Sequence, residues 1–89
     1  MSHDKDIQVL VHYMAASKPF KTDADPATTV GQIKTEVLKA FGLTQDGSKV
    51  YKLYYHKTEL TNLSQTVGEI AGREGALNLN LEEVLVQGA

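Results

Sequence analysis

Three histidines, the serines of turn-like stretches and a cluster of tyrosines are side chains in this sequence that could do chemistry, and their spacing decides which chemistry is open. His3, His12 and His56 are candidate ligands and proton-transfer groups by residue type. They stand at unrelated spacings, however, with no carboxylate at a ligand-like distance along the chain, so neither a metal site nor a proton relay is expected. They read as solvated surface histidines. Ser17, Ser48 and Ser64 all fall in turn-like stretches, and none has the glycine-flanked context of a nucleophile elbow. The chain has no cysteine, which removes disulfides, thiolate metal ligands and thiol catalysis together. Gly31 and Gly68 each follow a Thr-Val pair without the clustered glycines and lysine that cradle phosphate. No enzyme activity and no cofactor are expected. What remains is binding, and Tyr51, Tyr54 and Tyr55 in one short segment are the residues best suited to it.

Charge narrows the partner. The first 45 residues carry five basic and five acidic groups, the remaining 44 four and six, so neither half has a basic excess for nucleic acid. No apolar run approaches a membrane span, and Ile7–Val11 is too short for a signal-peptide core. A cytoplasmic monomer that meets other proteins is the expectation. With 89 residues there is room for one domain and one modest core.

The elements that must position the tyrosines follow from periodicity. Residues 30–41 place Val30, Ile33, Val37, Leu38, Ala40 and Phe41 at three-and-four spacing, one face of a helix. Thr29 and Gln32 stand at capping-box spacing, Thr28 is an alternative cap, and Gly42 suits the left-handed residue that ends a helix. Such a helix needs a broad apolar surface, and the flanking segments are strand-like. Ile7, Val9, Val11 and Tyr13 alternate inward against Gln8, Leu10, His12 and Met14 outward. Phe20, Thr22 and Ala24 continue the alternation after a turn, giving a hairpin that Asp25-Pro26 breaks. Residues 50–55 form a third strand, with Tyr51, Leu53 and Tyr55 inward and Lys52 and Tyr54 outward. His56–Leu60 turns into a short fourth strand. Thr66-Val67-Gly68-Glu69-Ile70 echoes Thr29-Val30-Gly31-Gln32-Ile33, and shared cap chemistry explains five residues better than duplication does. It predicts a single helical turn ended by Gly72 or Gly75. Leu77, Leu79 and Leu81 alternate inward in a final strand over 76–82. Ile33, Val37 and Phe41 are expected to be buried with Val9, Val11, Leu53, Leu79 and Leu81.

This order resembles ubiquitin and its β-grasp relatives over residues 7–88. The shared features are Ile7-x-Val9-x-Val11, Asp25-Pro26 before the helix, Thr29-Val30 and Ile33-Lys34 within it, Leu53-x-Tyr55, Leu63-Ser64-x-Thr66-Val67, and Leu77-x-Leu79-x-Leu81. The resemblance implies an α+β roll: a mixed four- or five-stranded sheet with one main helix on one face and a short second helix. The first and last strands would lie parallel in the middle. Residues 1–6 would be a flexible leader, 7–82 the domain and 83–89 a flexible tail.

The resemblance also implies two functional regions. Ubiquitin is recognised on the outward face of its sheet, where this chain offers Leu10, His12, Lys52, Tyr54 and Asn80. The second region is the C-terminal end, which ubiquitin-like modifiers thread into an activating enzyme. Here Gly88 would be the joined residue after removal of Ala89, and Glu82 and Glu83 stand where ubiquitin carries arginines. The function so implied is a protein modifier, of the kind used by bacterial conjugation-like systems. Its partners would be an activating or conjugating enzyme, a deconjugating protease and a target protein. A non-conjugated interaction module acting through the sheet is the alternative, and a sulfur carrier the third reading.

Overall fold

The computed structural model describes residues 6–45, 47–72 and 74–86. Five strands and two helices follow one another as β1 (Ile7–Tyr13), β2 (Phe20–Ala24), α1 (Val30–Phe41), β3 (Lys49–Tyr55), β4 (Thr58–Glu59), α2 (Val67–Ala71) and β5 (Ala76–Leu85). They make one mixed sheet in the order β2-β1-β5-β3-β4. The first and last strands are parallel neighbours in register from Gln8↔Ala76 to Tyr13↔Leu81, and the other pairings are antiparallel. The α+β roll expected from the resemblance is the observed architecture.

Period-two alternation puts Ile7, Val9, Val11, Tyr51, Leu53, Leu77, Leu79 and Leu81 on one face, where α1 covers them with Val30, Ile33 and Val37. Phe41, expected in the core, is only half-buried. It sits in the last turn of α1, where the core ends. Its ring meets Tyr13 at 5.4 Å and Phe20 at 6.5 Å between centroids, an aromatic rim to the core.

Thr29 is the cap of α1: its hydroxyl accepts from the Gln32 N–H at 3.2 Å, and the Gln32 side chain accepts from the Thr29 N–H at 2.9 Å. Gly42, at φ 70°, closes the helix with Leu43 N–H bonded to the Leu38 carbonyl at 2.8 Å. Thr66 and Glu69 build the same box for α2, which ends at Gly72.

The echoed words meet in space. Thr29 and Thr66 bridge antiparallel, and around them the backbone bonds come in matched pairs. Val30 N–H donates to the Gln65 carbonyl and Val67 N–H to that of Thr28, each at 2.8 Å. Gly31 N–H donates to the Leu63 carbonyl at 2.9 Å and Gly68 N–H to that of Pro26 at 3.0 Å. Each helix start thus satisfies the orphan donors of the other through a local pseudo-dyad. The echo is more than shared capping. It is a matched contact.

Candidate protein-interaction site

α1 covers one face of the sheet and no described element covers the other. Strand register decides which side chains stand together there. Tyr54 on β3 lies opposite Asn80 on β5, and Asn80 lies beside His12 on β1, so residues from three strands form one row. Leu10 is beside Asn78 in the neighbouring row, and Lys52 is opposite Glu82 in the next. All five residues expected on the outer face are therefore on it: His12 and Asn80 exposed, Leu10, Lys52 and Tyr54 half-buried. Lys52 is already engaged, its Nζ 3.6 Å from Glu59 Oε2.

A shallow depression of about 1040 Å³ crosses this face, lined by His12, Met14, Lys18, Tyr54, His56 and Asn80 among others. Met14, 99% exposed, and His56 are lining residues that sequence reasoning left out of the site. Strand parity already set Met14 on the side of His12, and that signal was available. His56 carried none. It reaches the depression because the β3–β4 turn bends through a left-handed residue there, φ 59°, with its ring 4.2 Å from that of Tyr55. Among the described residues no group of three or more histidine and carboxylate side chains could hold a metal ion. The surface offers an aromatic ring and a thioether, groups enriched where proteins meet, beside amide and imidazole groups and lysines. Tyr54→Ala is expected to weaken partner binding about tenfold or more, in the range of an interface anchor, while moving the melting temperature by less than about 3 °C. Isothermal titration beside a thermal melt separates the two, and a fall in stability with binding intact would make Tyr54 a structural residue.

The second expected region differs from its sequence reading. The strand was expected to end at Glu82 and the tail to be mobile from Glu83, but β5 continues to Leu85. β3 is long enough to supply partners: Glu82 pairs with Lys52, Glu83 with Tyr51, Val84 with Val50 and Leu85 with Lys49. The Val86 N–H then donates to the Ser48 carbonyl at 2.8 Å. Backbone pairing, which needs no leucine alternation, sets the strand's length here. On its other side this C-terminal arm has no ladder among the described residues, because β1 pairing stops at Tyr13↔Leu81. Glu82 and Glu83 are exposed, as are Leu85 at 66% and Val86 at 48%. Tyr13 Oη donates to Glu83 Oε1 at 3.3 Å. Desolvation first, then the neighbouring Tyr51 and Glu83, push the Tyr13 phenol above its ordinary pKa, so it stays protonated as a donor. On α1, desolvation lowers the pKa of Lys34, partly opposed by Glu59. Gly88 and Ala89 lie outside the described residues.

No family model matches the sequence, and no curated protein does. Solved structures do match. A ubiquitin from Caldiarchaeum subterraneum superposes with a TM-score of 0.73 at 21% identity, covering 93% of this chain and 99% of that one. The chain has the ubiquitin-like β-grasp fold. A ubiquitin-like domain from Arabidopsis thaliana has a TM-score of 0.68 at 23% identity, covering 94% of this chain and 83% of that one. A structure described under molecular mimicry of SUMO in promoting DNA repair has a TM-score of 0.65 at 12% identity, covering 86% and 90%. The ubiquitin-like fold thus leaves this chain an open sheet face and a one-sided arm. Among the described residues no helix is long and apolar enough to cross a membrane.

Proposed function

We propose that this chain is a ubiquitin-like protein modifier, read by partner proteins on the outer face of its sheet and joined to targets through its C-terminal end. The observation that supports this reading is the arm: after Leu81 the last residues of β5 leave the core and pair with β3 alone. A segment held by one ladder can separate without disturbing Leu77, Leu79 or Leu81, and threading into an activating enzyme requires such separation. Gly88 is the residue to be joined, once whatever follows it, Ala89 included, has been removed. A glycine end presents no side chain to obstruct attack at its carboxylate. Glu82 and Glu83, exposed on the arm, call for a positively charged groove in the activating enzyme and disfavour one built for a basic tail. The likeness to an archaeal ubiquitin supports the reading through fold.

A second reading, a non-conjugated interaction module, is favoured by one contact: pairing continues through Val86 to Ser48, the end of the described arm. The two are separated by adenylation. A chain ending at Gly88 should support ATP–pyrophosphate exchange and thioester formation with its activating enzyme, whereas the chain retaining Ala89 should not. Failure of both chains, with binding at Tyr54 intact, would favour the module.

A further inference from the structure

The arm is held on its β3 side by backbone pairing, but on its β1 side the ladder ends at Tyr13↔Leu81, and among the described residues no strand continues it. β1 turns away after Tyr13, whose carbonyl accepts from the Ala16 N–H at 2.9 Å, just where the parallel ladder ends. A side-chain hydrogen bond spans the gap. Parity sets Glu83 on the helix-side face with Leu81, the face of Tyr13 and Tyr51, and the Tyr13 hydroxyl reaches Glu83 Oε1. The donor is well anchored: its ring lies 5.4 Å from that of Phe41 and edge-on to that of Tyr51 at 6.3 Å. The acceptor belongs to a stretch of β5 that pairs with β3 alone. We propose that Tyr13 and Glu83 form a clasp that holds the C-terminal arm closed on the side where the sheet has stopped pairing, and so sets how often the arm is free. This rests on the reading that the arm must detach to be joined, and it adds the restraint that such joining would have to overcome.

Tyr13 is a positioning residue in this account, and Tyr13→Phe removes its hydroxyl while keeping the ring against Phe41 and Tyr51. Residue-resolved amide hydrogen exchange on the full chain should show the amides of Val84 and Val86, which point toward β3, exchanging about three- to tenfold faster in Y13F, the range for the net contribution of one hydrogen bond. Val9, Ile33 and Leu79 should keep their wild-type exchange. Glu83→Ala, at an exposed position that leaves the core intact, should have the same effect, and the double variant should not exceed either single one. Exchange is read on the free protein without enzyme. An unchanged arm therefore defeats the clasp alone, whereas absent adenylation defeats the modifier reading alone. Unchanged arm exchange in Y13F, faster exchange of arm and core together, or additive effects in the double variant would each overturn the proposal.

Discussion

Leu79→Ala is expected to destabilise the protein by about 2–5 kcal/mol, the range for truncating a buried leucine. Leu79 has no exposed surface, sits on the central strand beside Val11, and belongs to the core that α1 covers. Strands on both sides and a helix above leave little freedom to collapse into the space. Domains of this size are stable by only about 5–10 kcal/mol, so the loss should lower the melting temperature by more than about 8 °C. Leu85→Ala, six residues along the same strand but 66% exposed, should change stability by less than about 0.5 kcal/mol. Urea denaturation of the two variants side by side is the measurement. Equal midpoints would mean that the alternation of β5 does not define the core.

The second large effect belongs to the pseudo-dyad. A Cβ at Gly68 would stand 2.9 Å from the Pro26 carbonyl oxygen and 3.0 Å from its Cβ, both on a ring-constrained residue that also accepts the Gly68 N–H. A Cβ at Gly31 would meet the Leu63 carbonyl oxygen at 3.2 Å, which a small shift relieves. Alanine favours a helix over glycine by about 1 kcal/mol, so at Gly31 gain and strain nearly cancel. Gly68→Ala should instead cost about 1–3 kcal/mol, the range for forcing atoms into a packed contact. Thermal unfolding of both alanine variants tests the ranking, and a less stable G31A would contradict the close approach at Pro26.

The strands and main helix were legible because burial on one face leaves a period in the sequence. Val9, Val11, Leu77 and Leu79 declare a half-buried sheet, and Thr29, Gln32 and Gly42 mark a helix at both ends. Parity alone also set Tyr54, His12 and Asn80 on the open face, though it could not say that they share a row. That requires register, which depends on contacts between strands far apart in sequence. Phe41 showed the limit of helical spacing. The pattern assigns a face, but whether the core extends beneath that face depends on where the sheet ends. The arm was misjudged for a related reason. Glu83 interrupts the leucine alternation, and backbone pairing with β3 leaves no mark in side-chain composition. The echo of Thr66–Ile70 was plain in the sequence, but its meaning lay in hydrogen bonds between backbones.

The placement of β5 bears on the order in which the molecule can be made. Synthesis runs from β1 toward β5, and the centre of the described sheet is the last of its five strands to emerge. Until it does, β1 has only β2 beside it, and β3 has only the two residues of β4. The hairpin and α1 can form early, but they have no complete surface to enclose. The nascent domain therefore cannot close by stages. It must wait for its C-terminal strand, whose arrival joins the two halves of the sheet in one step.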